Sequence, residues 1–294
     1  MYTEDTLSNK IKSFLTFGFI PLLIFALVMA VPFFVGVYMT FTDSAGGTIT
    51  ADFSGFANYA AAFNDPLFWD SMLLTLKYVF FSLVLTNVLA FLLALLVTSG
   101  MKGQNFFRLG FFTPNLIGGI ILGFVWQFVF SRVMVYFGKE LDIGLLSSSW
   151  LGDPQKALWA LIIVGVWQNA GYMMLIYIAG IQGVDKSLLE AASLDGASWW
   201  GQLLRVKIPL MASAFTISLF LTLQRSFMVY DTNLSLTSGG PYRSTEMIAM
   251  HVYNEAFKFQ HFGVGQAKAI VLFVIVAAIA LLQVGAMKRL EVES

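Results

Sequence analysis

The sequence predicts an all-α, polytopic membrane protein with six membrane-spanning helices. Three observations carry that prediction. First, of 294 residues 58% are hydrophobic and only 12% charged, whereas soluble domains run at about 45–50% apolar and about 25% charged. Second, six runs are long and apolar enough to cross a hydrocarbon core about 30 Å thick, which takes about 20 helical residues. Third, the basic residues alternate from loop to loop as the positive-inside rule requires. No period-two polarity of the kind that marks a membrane β-barrel is present. One transmembrane domain over 1–294 is expected.

Residues 17–41 hold no charge, residues 72–98 hold Lys77, and residues 106–130 hold Arg108. The run 157–181 is uncharged, 209–230 contains Arg225, and 266–287 contains Lys268. The first run is too long for a signal-peptide core and lacks a small-residue cleavage pattern, so it reads as an uncleaved span. Lys77 and Lys268 lie near span ends and are expected to snorkel to the outer interface. Nine bases face one side: Lys10, Lys12, Lys102, Arg108, Lys186, Arg205, Lys207, Lys288 and Arg289. Five face the other: Arg132, Lys139, Lys156, Arg243 and Lys258. The loop 42–71 carries four Asp and no base. Both termini are therefore expected in the cytoplasm.

Composition also excludes several classes. Seventeen bases cancel seventeen acids, which removes any general attraction to nucleic acid. The absence of cysteine rules out disulfides and thiolate metal sites. Two histidines are too few for a histidine-rich metal site, and 16% aromatics argue against disorder.

The loop 182–208 between spans four and five is cytoplasmic on this topology. Ser187 and Glu190 have capping-box spacing, predicting a short helix over 188–194. Asp195-Gly196 is expected to end it, because glycine accepts the left-handed C-cap conformation. A second short helix is expected from Ser198 toward Val206, stopping before Pro209.

Glu190-Ala191-Ala192, then Gly196, then Val206-Lys207-Ile208-Pro209 resembles the EAA loop of ABC-importer permeases. Met174–Tyr177, Asp195-Gly196-Ala197, and Leu236-Thr237-Ser238-Gly239-Gly240-Pro241 with Ser244-Thr245-Glu246 resemble the maltose- and raffinose-type sugar subfamily. The resemblance covers most of the chain from residue 17. It implies a coupling helix that docks on a separate cytoplasmic ATPase through Glu190, Ala191, Ala192, Asp195 and Gly196. It further implies a second, homologous permease subunit, two ATPase subunits, an extracytoplasmic solute-binding protein and a prokaryotic cell membrane. The loop 231–265, with Ser238-Gly239-Gly240-Pro241, is implied as a surface for that binding protein.

The absences agree with a permease. No phosphate-cradling G-x-x-x-x-G-K-[ST] occurs, so ATP is expected on another chain, with no cofactor, metal or catalytic residue here. Polar side chains at membrane depth need a partner or a purpose. Asn115, Gln168, Asn169, Tyr172, Gln224 and Arg225 are the candidates for a solute path. Amides and hydroxyls match sugar hydroxyls, and aromatic rings pack on apolar sugar faces. The resemblance ranks Asn115, Gln168, Asn169 and Tyr172 above Asn87, since the family's sugar cavity is lined from spans three to five. Pro114 predicts a kink in span three, and Gly119-x-x-x-Gly123 a close-packed helix face. The function expected is import of a di- or oligosaccharide. An ABC permease for a polyamine or phosphate, and a secondary carrier, are the alternatives.

Overall fold

The computed structural model describes residues 11–43 and 52–289. The chain termini, expected in the cytoplasm, lie outside the described residues. Apart from an isolated bridge between Thr42 and Phe53, the described regular structure is helical. Helices α1 (Ile11–Met39), α2 (Ala57–Phe63), α3 (Pro66–Val97), α4 (Gln104–Phe112), α5 (Gly119–Glu140) and α6 (Pro154–Gly183) come first. Then follow α7 (Lys186–Leu194), α8 (Trp199–Leu210), α9 (Ala212–Phe227), α10 (Asp231–Leu236), α11 (Ile248–Tyr253) and α12 (Phe262–Lys288). Helices α1, α3, α5, α6 and α12 are each long and apolar enough to cross a membrane. The bent pair α8–α9 makes a sixth if counted as one span.

Two compact units divide the chain, one of residues 1–65 and 252–271, the other of residues 66–251 and 272–294. In the first unit, α1 presents almost only exposed apolar side chains, among them Phe17, Leu22, Phe25 and Phe34. Such a surface is stable against lipid and unstable against water. Wide π-helical turns at Phe14–Phe19 and Ala26–Ala30 each end just before a proline, Pro21 and Pro32. Proline lacks an N–H and its ring crowds the preceding turn, and a widened turn makes room for it. Lys268 on α12 is 1% exposed, a departure from the expected snorkelling. Its Nζ donates to Asp65 Oδ2 at 2.6 Å and to Glu255 Oε2 at 2.7 Å. A buried ammonium needs such carboxylates. Burial pushes the Glu255 carboxyl up, but hydrogen bonds from Lys268 and His261 outweigh it and hold the group below its ordinary value.

In the second unit, α3, α6 and α9 pack together along their lengths. Small residues allow the close approach. Ala90 and Ala94 of α3 and Ala214 of α9 are buried with Met173, Met174 and Tyr177 of α6. Near the other end, Leu122 and Phe130 of α5 and Tyr78 of α3 bury against Leu161, Ile162 and Val164 of α6. Helix α6 starts sharply because Asp153 accepts from the amides of Gln155 and Lys156, with Pro154 as first residue. The third apolar run departs from the expected continuous helix over 106–130. After α4 a tight turn, Thr113–Leu116, leads to extended backbone at Ile117 and Gly118, and α5 then runs on to Glu140. Pro114 does mark the break, which falls three residues beyond it.

Candidate functional site

Two places gather the candidate residues, and both lie in the second unit. The first is a polar cavity of about 340 Å³ lined from α3, the α4–α5 break, α6, α9 and α10. Of the six solute-path candidates, Asn115, Gln168, Asn169, Gln224 and Arg225 line it. Tyr172 stands behind Arg225, whose guanidinium carbon lies 4.5 Å from the ring centroid. Arg225 Nη1 donates to Asn169 Oδ1 at 2.9 Å, and Asn169 Nδ2 donates to Gly165 O one turn earlier on α6 at 2.8 Å. This chain of contacts fixes a cation inside an apolar bundle, where cation–π attraction is worth about 2 kcal/mol or more once desolvated. Gln168 Nε2 donates to Ile117 O at 3.1 Å, and Asn115 Nδ2 to Gln168 O at 3.4 Å. The helix break therefore frees the Ile117 carbonyl, which the Gln168 amide occupies, while Asn115 of the break reaches across to the α6 backbone.

The lining also holds Ser226, next to Arg225, and residues that sequence reasoning missed: Tyr78, Ser82 and Thr86 on α3, and Asp231 and Thr232 just past the fifth run. The α3 trio recurs every four residues, so the 3.6-residue period was a usable signal. Asp231 was passed over because it follows the apolar run. Asn87 takes a different role. Its Oδ1 accepts from Tyr177 Oη at 2.7 Å and from Ser218 Oγ at 2.6 Å, and its Nδ2 donates to Thr222 Oγ1 at 3.2 Å. It ties α3, α6 and α9 together outside the polar cavity.

The glycines of Gly119-x-x-x-Gly123 seat α10 on α5. A Cβ at Gly119 would stand 2.8 Å from Asp231 Cβ, and one at Gly123 would collide with the Ser235 hydroxyl. Ser235 Oγ donates to Gly119 O at 3.2 Å. The predicted close-packed face is thus the face that carries Asp231 and Thr232 into the cavity wall.

The second place is the loop after α6. Helix α7 starts at Lys186 with Asp185 as its cap, its carboxylate accepting from Ser187 N at 2.9 Å. This replaces the expected Ser187 cap: the chain turns helical two residues sooner, where Asp185 has the extended backbone a cap needs. Hydrogen bonds from the Ser187 backbone and side chain hold the Asp185 carboxyl below its usual value. The C-terminus follows expectation. Gly196 has φ +80°. Gly196 N donates to Ser193 O at 3.0 Å and Ala197 N to Ala192 O at 2.9 Å. Those two bonds form a Schellman motif. Ser198 caps α8 through Gly201 N. Contrary to expectation, α8 runs through Pro209 to Leu210. A π-helical turn at Leu203–Lys207 precedes this proline as well, and the helix breaks instead at Met211, where α8 and α9 meet at 69°.

Glu190, Ala191, Asp195 and Gly196 are exposed and Ala192 half-buried. Leu194 is 89% exposed, and Trp199 and Trp200, edge to face with each other, are mostly exposed as well. Ala192, Asp195, Gly196, Trp200, Leu204 and Arg205 line a cleft of about 590 Å³ between the two short helices.

Membrane-length helices enclosing a polar cavity, with an apolar knuckle at one end, define a membrane transport subunit. The chain belongs to the family of binding-protein-dependent transport system inner membrane components, which it matches over residues 87–291. It is 43% identical over 272 residues to AmyD of Thermoanaerobacterium thermosulfurigenes, a probable starch degradation products transport system permease protein, covering 92% of both chains. It is 30% identical to MsmF of Streptococcus mutans, a multiple sugar-binding transport system permease protein, covering 94% of this chain and 96% of that one. Its fold is that of a chain in a bacterial ABC transporter involved in import of the acidic polysaccharide alginate, with a TM-score of 0.83 at 20% identity. That match covers 97% of this chain and 99% of the other.

Proposed function

We propose that this chain is one permease subunit of an ATP-driven, binding-protein-dependent importer of a di- or oligosaccharide. The observation that carries the reading is the cavity, where side-chain amides, hydroxyls and a fixed guanidinium converge within an apolar bundle. Sugar relatives at up to 43% identity over nearly full length support it. In this reading the solute path runs past Asn115, Gln168, Asn169, Gln224 and Arg225, with Tyr172 bracing the last.

Glu190, Ala191, Ala192, Asp195 and Gly196 dock on a cytoplasmic ATPase subunit, and the exposed Leu194, Trp199 and Trp200 supply apolar contact area. A second permease subunit completes the path, two ATPase subunits power it, and an extracytoplasmic binding protein delivers the sugar. The loop 231–265 then faces that protein, and both termini face the cytoplasm. Closure of the ATPase pair moves the docked knuckle and shifts the bundle between two packings. The chain itself moves solute and makes or breaks no covalent bond.

The test is reconstitution of the assembled transporter in vesicles, with ATP inside and receptor-delivered sugars outside. ATP-dependent uptake of an oligosaccharide is expected. Uptake that continues without ATP, down a gradient, assigns the chain to secondary carriers instead.

A further inference from the structure

The cavity wall carries one cation, Arg225, and one anion, Asp231. Arg225 is held through its side chain and Asp231 is placed by the helix that carries it. Arg225 is held by Asn169 and the Tyr172 ring, both neutral, which engage part of a guanidinium with five N–H donors. Asp231 opens α10, which rests on side-chain-free Gly119 and is tied to it by Ser235. Both residues therefore line one space, and their formal charges cancel.

That pairing sets a condition on the solute. A hydroxyl accepts from a guanidinium and donates to a carboxylate, so a polyol satisfies both groups at once. A carboxylate or phosphate satisfies Arg225 but brings a second negative charge near Asp231 and cannot donate to it. An ammonium reverses the problem. Asp231 is exposed in this chain, so solvent weakens such mismatches without cancelling them. Rejection of this kind is how a site discriminates beyond what attraction alone provides.

We propose that Arg225 and Asp231 form a charge filter that favours neutral sugars over acidic or cationic analogues. The proposal rests on the sugar reading above and names Asp231 as a specificity-determining residue.

The experiment measures equilibrium binding of radiolabelled maltotriose, and of maltotriose with its terminal glucose oxidised to glucuronate, to the solubilised assembled transporter. Wild type is expected to prefer the neutral sugar by about tenfold or more. Asp231→Asn keeps the size and an acceptor but removes the charge, and the preference should fall toward parity. Asp231→Ser is the second variant, should Asn disturb assembly, and is expected to give the same loss. Arg225→Gln should weaken both ligands. A preference unchanged in both Asp231 variants, or equal binding of the two sugars by wild type, overturns the filter and leaves the sugar reading standing. Binding of neither sugar by intact wild type, together with no ATP-dependent uptake of any receptor-delivered oligosaccharide in vesicles, overturns the sugar reading itself.

Discussion

Tyr177 donates its hydroxyl to Asn87 Oδ1 at 2.7 Å, and the same oxygen accepts from Ser218 at 2.6 Å. One amide thus joins three helices. Asn87→Leu keeps the bulk and leaves two buried hydroxyls without their acceptor. Orphaned groups in water-soluble proteins cost about 1–3 kcal/mol each. Polar contacts between membrane helices average nearer about 0.6 kcal/mol, so a loss of about 1–2 kcal/mol is expected. The thermal midpoint of the assembled transporter should drop while sugar preference stays unchanged. A shifted preference with an unchanged midpoint would place Asn87 on the solute path.

Gly123 has no room for a side chain against Ser235, whereas Gly118 has open space around it. Gly123→Val should push α10 off α5 and reduce uptake at least tenfold, by the overpacking mechanism. Gly118→Ala, also beside the break, should leave uptake near wild type. Equal effects of the two would contradict the seat.

Gly196 holds φ +80° at the end of α7. A branched residue there costs about 1–2 kcal/mol in backbone strain. Gly196→Val should tilt the exit of α7 and spoil the knuckle more than the bundle. Uptake per ATP hydrolysed should fall severalfold in reconstituted vesicles. A wild-type ratio would remove the docking role from Gly196.

Lys268 faces Asp65 and Glu255 from a buried position. The Glu255 carboxyl sits below its ordinary value, so its share of stability is present at neutral pH and fades as acid protonates it. Lys268→Met removes the cation and lets that carboxyl rise. The variant should therefore be least stable relative to wild type at neutral pH, with the gap closing in acid. Midpoints measured from pH 7 to pH 4 check the sign.

Much of this was legible in the residues. Runs of apolar side chains located the long helices, because lipid imposes a length that no tertiary contact needs to supply. Gly196 announced its left-handed turn, since few other residues adopt one cheaply. Five of the six solute-path candidates line the cavity, because polar side chains at that depth have few other places to go. What failed needed partners from far along the chain. Lys268 looked like an end-of-span residue until Asp65 and Glu255 met it. Asp231 lay past the hydrophobic window, and only its seat on Gly119 puts it beside the candidates. Pro209 seemed a stop signal, yet a widened turn precedes it, as one precedes Pro21 and Pro32.

The 69° break at Met211 has a mechanical consequence. A straight rod passes a shove along its own axis, but an elbow converts it. Displacing the short arm, Trp199–Leu210, along its length swings the long arm, Ala212–Phe227, and with it the guanidinium of Arg225 near the far end. In the proposed docking arrangement, torque delivered to the short arm would thereby be spent where a passenger would sit.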